Sequence, residues 1–240
     1  VLIMKAIVIN QYGDKNELKE EELERPEPEA DEVLIEIHAA AVNPIDWKLR
    51  YGYLEDKFAF DFPIVLGWDA AGIVTEVGKD VSSFKEGERV FVRPELTNRG
   101  TYAEYTTAKS DLVAKIPENI SFEEAAAVPL AGLTAYQCLV DVGKLESGNK
   151  VLIHAGAGGV GSFGIQIAKN MGAYVATTGS TKNVEFLESL GADEVIDYTK
   201  DDFSQILEDY DLVIDTLGGE IQDKSFDILK KGGKLVSIVG

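Results

Sequence analysis

The run Val151-Leu152-Ile153-His154-Ala155-Gly156-Ala157-Gly158-Gly159-Val160-Gly161 has the residue types and spacing to hold a diphosphate. Gly156, Gly158 and Gly161 fit G-x-G-x-x-G, a weak pattern alone, but here it follows an apolar β-branched stretch and opens a helix. Val160, Gly164, Ile167, Ala168 and Met171 recur at helical spacing, giving that helix one face for a sheet. Gly156 is expected to allow the tight turn, Gly158 to let backbone approach a pyrophosphate, and Gly161 to permit close helix–strand contact. The amides opening the helix, at Gly159, Val160 and Gly161, carry the positive end of its dipole and attract phosphate. The stretch reads as a dinucleotide site; the alternative is a glycine-rich turn with no ligand.

The end of the next strand selects the dinucleotide. An NAD site places Asp or Glu there to grip the ribose hydroxyls, whereas this chain has Thr177-Thr178-Gly179-Ser180-Thr181-Lys182. A carboxylate would repel a 2′-phosphate by ~1–4 kcal/mol at intermediate dielectric. Gly179 leaves room, the Ser180 hydroxyl can donate, and Lys182 supplies charge. NADP(H) is therefore the expected cofactor, with a solvated helix-start lysine as the other reading of Lys182.

These residues need a scaffold of alternating strands and helices. Ser121 with Glu124 forms a capping box before a strong helix former, and Pro129 is expected to bend or restart that helix, which runs on to about Val140. Strands are expected at Lys150 to His154, Tyr174 to Thr178, Glu194 to Asp197, Asp211 to Asp215 and Lys234 to Val239. Helices are expected from Gly159, over about Asn183 to Leu190, near Phe203 and from Ile221. Such alternation implies a parallel sheet wrapped by helices. Before Ser121 the chain reads as β-rich, with short apolar runs at Met4 to Ile9, Val33 to Ile37, Ile73 to Val77 and Arg89 to Val92. Strands of that kind, with polar turns between them, suggest a small barrel or sandwich. The acidic segment Glu20 to Glu32, with Pro26 and Pro28, reads as an exposed extended connection. Two domains result, 1–120 and 121–240.

Composition narrows the partners. The chain has 240 residues, 45% hydrophobic and 27% charged, which is ordinary globular usage. Lys plus Arg number 23 and Asp plus Glu 42, so the net charge is −19. A surface so acidic repels nucleic-acid phosphates and anionic lipid heads, so neither nucleic acid nor membrane is expected as a partner. Any phosphate-bearing ligand must be held by local geometry. No apolar run reaches the ~18 residues of a membrane helix, and no secretory signal is legible. The lone Cys138 excludes a disulfide framework and multi-cysteine zinc sites, and points to a reducing, cytoplasmic setting. His38 and His154 fall on expected strands and read as structural.

Several further stretches carry a family resemblance: Ala41-Val42-Asn43-Pro44-Ile45-Asp46, Gly67-Trp68-Asp69-Ala70-Ala71-Gly72-Ile73-Val74, Gly100-Thr101-Tyr102-Ala103-Glu104-Tyr105, Ala131-Gly132-Leu133-Thr134-Ala135-Tyr136 and Asp215-Thr216-Leu217-Gly218-Gly219. With the glycine-rich turn they resemble the medium-chain dehydrogenase/reductase superfamily, in its zinc-free quinone oxidoreductase (zeta-crystallin-like) branch. The resemblance implies a GroES-like β-rich substrate domain followed by a Rossmann doubly wound sheet, with the active site in the cleft between. It places Asn43 beside nicotinamide and substrate, Thr134 near the nicotinamide ribose, Tyr198 at the 2′-phosphate and Gly218 beside the cofactor. Asp46 and Tyr53 share the segment of Asn43. Tyr53 reads either as a ring that stacks on or donates to a flat acceptor or as a packing tyrosine, and Asp46 either as a site residue or as a helix cap.

Zinc-using members carry Cys near the position of Asn43, a His-Glu pair at Trp68-Asp69, and a four-cysteine lobe where this chain has Arg93 to Arg99. Without sulfur or paired imidazoles, no metal site is expected. Hydride transfer then needs an acceptor that is already electron-poor, a quinone or an α,β-unsaturated carbonyl, with positioning and an oxyanion donor as the protein's contribution. The alternatives are an enoyl-thioester reductase, which would need a basic patch not located in this sequence, and an NADPH-binding regulatory or structural protein without turnover. A full doubly wound sheet has six strands and five are legible here, so the chain is expected to be a piece of a longer protein. The family's homodimer, placed by resemblance on the sixth strand, is doubtful on that reading.

Overall fold

The computed structural model describes residues 1–239, and contacts divide the chain into two compact units, Val1–Leu130 and Ala131–Gly240. The first unit holds β1 (Ile3–Ile9), β2 (Lys19–Glu24), β3 (Glu32–Ala40), α1 (Pro44–Arg50), β4 (Ile64–Val65), β5 (Ala70–Val77), β6 (Arg89–Val92), β7 (Tyr105–Lys109), β8 (Val113–Lys115) and α2 (Phe122–Ala126). A five-stranded antiparallel sheet runs β7-β3-β5-β6-β8 and a three-stranded one β2-β1-β4. Val33, Ile35, Val74, Val90 and Val92 fill the core of the larger sheet.

Along β1 the pattern is two-residue, as for a strand buried on one face: Met4, Ala6 and Val8 are buried while Ile3 and Lys5 are exposed. The acidic segment from Glu20 is not simply a connection. Lys19–Glu24 pairs antiparallel with β1, Ile3 opposite Glu24 and Val8 opposite Lys19. Only Leu23 in that strand is a core-type side chain, so the segment carries no hydrophobic alternation; backbone pairing to β1 makes it a strand.

The helix opened by Ser121 belongs with this first unit. Ser121 Oγ accepts from Glu124 N at 3.1 Å and Glu124 Oε2 from Ser121 N at 2.9 Å, the expected capping box. Ala125 and Ala126 are buried with Ala71 and Ile116, so the units divide at Leu130/Ala131, where the sequence grammar changes at 121. The helical path breaks after Ala126 and restarts as α3 (Pro129–Tyr136), continuing as a π-helical turn over Gln137–Val142.

The second unit alternates β9 (Lys150–Ile153), α4 (Gly159–Asn170), β10 (Tyr174–Gly179), α5 (Val184–Ser189), β11 (Glu194–Asp197), β12 (Tyr210–Asp215), α6 (Gly219–Ser225) and β13 (Leu229–Ser237). Near Phe203 there is a short 3-10 turn, Phe203–Gln205, rather than a helix. All strands are parallel in the order β11-β10-β9-β12-β13, the doubly wound arrangement 3-2-1-4-5. Both faces are covered: Val151 and Ile153 of β9 join one core and Leu152 the other, which is why its strands read as unbroken apolar runs. β13 starts earlier than expected because Leu229 pairs with Tyr210 before a bulge at Lys230–Gly233, and Lys234 then pairs with Leu212.

Candidate active site

In the second unit, β9 leads into the glycine-rich turn and α4 leaves it. The left-handed residue of the turn is Ala155, φ 50°, not Gly156. Gly156 is required by crowding instead: a Cβ there would lie 2.1 Å from Thr177 Oγ1. Gly161 is required by close approach, since a Cβ would meet Ala155 O at 2.4 Å and Gly156 Cα at 2.7 Å. Gly158 differs, for its Cβ would meet only Ala155 O, at 3.3 Å. Gly158 is the N-cap of α4 and no side chain caps the helix; Ala157, Gly158 and Gly159 are exposed and Val160 is half-buried. The first amides of a 12-residue helix are thus left without a capping side chain.

His154 anchors the root of this turn. Its Nε2 lies 2.8 Å from Ser225 Oγ, which itself donates to Ile221 O at 2.6 Å, so Nε2 carries the proton. Its Nδ1 lies 3.3 Å from Thr178 Oγ1, and that hydroxyl accepts the Ala155 amide at 3.0 Å. Burial lowers the imidazole pKa to about 4, with Asp215 opposing. His154 is a structural, neutral histidine, although it stands just after β9 rather than on the strand as expected.

At the end of β10, Gly179 is crowded by Leu187: a Cβ there would lie 2.5 Å from Leu187 Cδ1, so the strand ends on glycine. Ser180 Oγ accepts from Asn183 at 3.3 Å, and Lys182 is exposed with no ion pair among the described residues. Tyr198 is 64% exposed, and its amide donates to Gly179 O at 3.1 Å. Asp197 pairs in register with Gly179, so a carboxylate does stand next to the end of β10, contributed by β11. It is occupied: it accepts from Thr181 Oγ1 at 2.5 Å, Thr199 Oγ1 at 2.6 Å and Thr199 N at 3.0 Å. Gly218 caps α6 at φ 73° and donates to Asp215 Oδ1 at 2.9 Å. Thr134 lies half-buried on α3.

In the first unit the structure brings Asn43 and Asp46 together and leaves Tyr53 apart. Asp46 Oδ2 accepts the Asn43 amide at 3.0 Å, capping α1, and the Tyr102 hydroxyl at 2.6 Å. Tyr102 reaches it across Gly67, φ 90°, where a Cβ would lie 2.5 Å from the tyrosine ring. Burial raises the Asp46 pKa, and the bonds from Tyr102 and Asn43 partly offset that. Tyr53 is 68% exposed and stacks on Tyr51 at 5.5 Å.

Two residues with no role assigned from the sequence complete this cluster. Asp69 is fully buried; its Oδ2 accepts Asn43 Nδ2 at 2.9 Å and its Oδ1 accepts the Leu130 amide at 3.0 Å. Burial raises its pKa to about 6, against bonds from Asn43 and Leu130 that lower it; Asp46 pushes it up and Arg93 down. Tyr102 is the other. The signal that could have found them is their position inside the family-like stretches Gly67–Val74 and Gly100–Tyr105, which mark the residues without saying what they touch.

Comparison with known proteins accords with this architecture. Residues 29–118 match the alcohol dehydrogenase GroES-like domain and residues 159–240 the zinc-binding dehydrogenase family. The quinone oxidoreductase from Coxiella burnetii superposes with a TM-score of 0.89 at 40% identity, covering 98% of this chain and 75% of that one. A quinone-oxidoreductase homolog of Spinacia oleracea is 35% identical over 98% of this chain and 75% of its own length. The chain belongs to the quinone oxidoreductase family of the medium-chain dehydrogenase/reductase superfamily. Within that family it is also similar to the NADPH-dependent alkenal/one oxidoreductase of Arabidopsis thaliana, 41% identical over 99% of this chain and 63% of that protein. It is 43% identical to the 2-methylene-furan-3-one reductase of Solanum lycopersicum, spanning 62% of that protein's length.

The family implies a nicotinamide dinucleotide, and the uncapped start of α4, with no side chain at Gly158, fits its diphosphate. The name of the second matching family includes zinc, and the donor set here does not fit that ion. Asn43 Nδ2 donates to Asp69, the Trp68 indole nitrogen is a donor only, and a single carboxylate is left. Among the described residues no three His, Cys, Asp or Glu side chains are grouped to hold a metal. No helix among them is long and apolar enough to cross a membrane.

Proposed function

We propose that this chain is an NADPH-dependent reductase that delivers hydride to a quinone or an α,β-unsaturated carbonyl without a metal. The observation that carries this reading is the uncapped, exposed start of α4, an anion cradle in a protein of net charge −19. The amides of Gly159, Val160 and Gly161 hold the diphosphate that Gly158 lets approach, on a turn that Gly156 packs closely against Thr177. Ser180 and Lys182 take the 2′-phosphate with Tyr198 beside it, and the occupied Asp197 carboxylate, tied to two threonine hydroxyls, repels it less than a free one would. Thr134 and Gly218 serve the nicotinamide end. When bound, the reduced nicotinamide supplies a hydride, and conjugation in the acceptor spreads the incoming charge. Asn43 donates from Nδ2 to the developing oxyanion, and Tyr53 with Tyr51 offers a flat aromatic face. Asp46 acts through α1 and Tyr102, as a positioning group. A cytoplasmic setting belongs to the same proposal, on the lone buried thiol of Cys138.

The test is NADPH oxidation followed with a panel of quinones, enones and a coenzyme A thioester. Turnover of quinones or enones is the expected result. Preference for the thioester identifies an enoyl-thioester reductase, and binding without oxidation of any acceptor identifies a non-catalytic NADPH-binding protein. Lys182→Ala is expected to weaken NADPH by roughly tenfold, about one charge-assisted contact, and to leave NADH unchanged; equal losses make Lys182 a bystander.

A further inference from the structure

The Asn43 amide has two ends, and only the nitrogen can donate to an oxyanion. Which end points where depends on its partner. An ionised carboxylate accepts hydrogen bonds and cannot donate them, so an Asp69 carboxylate at 2.9 Å selects Nδ2 and excludes Oδ1 from that contact. Asp69 cannot turn away, because its other oxygen is held by the Leu130 amide at 3.0 Å and its backbone is tied to Thr101 Oγ1 by contacts of 3.2 and 3.3 Å. Asn43 cannot slide, because its own amide is bonded to Asp46 on α1.

We propose that Asp69 is the positioning residue of this reductase: by accepting one Nδ2–H of Asn43 it commits the other to the acceptor oxygen. This rests on the role given to Asn43 above. Protonated Asp69 becomes a donor, pairs with Oδ1, and the amide turns over, so the productive orientation exists only while Asp69 is ionised. The groups facing it set where that happens: Asp46 from α1 disfavours the charged form, and Arg93, following β6, favours it, as do the Asn43 and Leu130 donors. Burial dominates and moves the transition to about pH 6, so activity is present above that pH and falls below it.

The experiment compares wild type, Asp69→Asn and the reciprocal double variant Asn43→Asp/Asp69→Asn. It reads kcat from about pH 5 to about pH 8, NADPH affinity, melting temperature, and the Asn43 side-chain NH2 signal by nitrogen-15 NMR. Asp69→Asn should lower kcat by roughly 10²-fold, leave NADPH affinity within about twofold of wild type, and abolish the rise of kcat through pH 6. The double variant restores a carboxylate–amide pair, with the side-chain carbonyl introduced at position 69 left for the Leu130 amide. It should therefore recover melting temperature but not kcat, since position 43 then carries no donor. Wild-type kcat and pH profile in Asp69→Asn, or recovery of kcat along with stability in the double variant, would overturn the proposal. If wild type oxidises NADPH with no acceptor, the functional reading fails by itself. The orientation claim is then decided by the NMR signal, which must titrate near pH 6 in wild type and stay flat in Asp69→Asn.

Discussion

His154 is held neutral between Ser225 and Thr178, and its pKa lies at about 4 where an unfolded histidine titrates at 6.5. Because the folded value is the lower one, the unfolded chain binds the extra proton first. The stability tied to His154 is complete above pH 6.5 and is lost progressively down to about pH 4, a change of ~3 kcal/mol. Asp69 has the opposite sign: its folded pKa is raised, so its contribution is complete below 3.8 and declines up to about pH 6. The two partly cancel in wild type, and substitution separates them. The difference in melting free energy between wild type and His154→Gln should shrink as pH falls from 6.5 towards 4. A difference independent of pH would mean that the imidazole titrates in the folded protein as it does in the unfolded chain.

Among the elements, α4 is a helix that begins on a glycine N-cap without a side-chain cap, a feature that costs about a few tenths of a kcal/mol relative to Ser or Asp at that position. The sequence around it explains the choice, since Gly158 puts no side chain at the helix mouth, and a Cβ there would meet a single atom, Ala155 O at 3.3 Å. Gly158→Ala adds a methyl 3.3 Å from Ala155 O and puts a poor N-cap residue at the helix start, so stability should fall by ~0.5–1 kcal/mol, while the stabilisation by saturating NADPH, ~2.7 kcal/mol at a hundredfold excess over Kd, largely disappears. Gly161→Ala drives a methyl into the backbone of Ala155 and should cost ~1–3 kcal/mol without any ligand. Calorimetry with and without NADPH reads both variants. Equal apo-stability losses in the two would show that the turn has no open face.

Across the whole molecule, 42 acidic against 23 basic side chains repel one another. Much of the acid is concentrated where it gains little, as in β2, whose exposed Glu20 meets Lys5 at 3.4 Å with both side chains 62% exposed. Exposed pairs of that kind contribute little, so the net repulsion remains and is relieved by screening. Raising NaCl to about 0.5 M is expected to increase melting temperature by roughly 2–4 °C, the equivalent of ~1 kcal/mol for a chain of this size. A fall with added salt would show that ion pairs outweigh the self-repulsion.

Short-range chemistry made much of this chain readable from its residues alone. β6 and β11 fall where alternation and flanking turns put them, and the glycine-rich turn is legible because strand, turn and helix are contiguous. The capping box at Ser121 and the restart at Pro129 are likewise read from residues three or fewer apart, or from a missing amide hydrogen. What depends on chain closure emerged only in the folded molecule. Asp69 finds Asn43 across 26 positions and Leu130 across 61, and Tyr102 finds Asp46 across 56. Lys19–Glu24 becomes a strand through β1, and Asp197 arrives beside Gly179 only because β10 and β11 pair in register. A buried carboxylate has no sequence pattern of its own: its charge state and the group it orients are set by donors that folding delivers from distant segments.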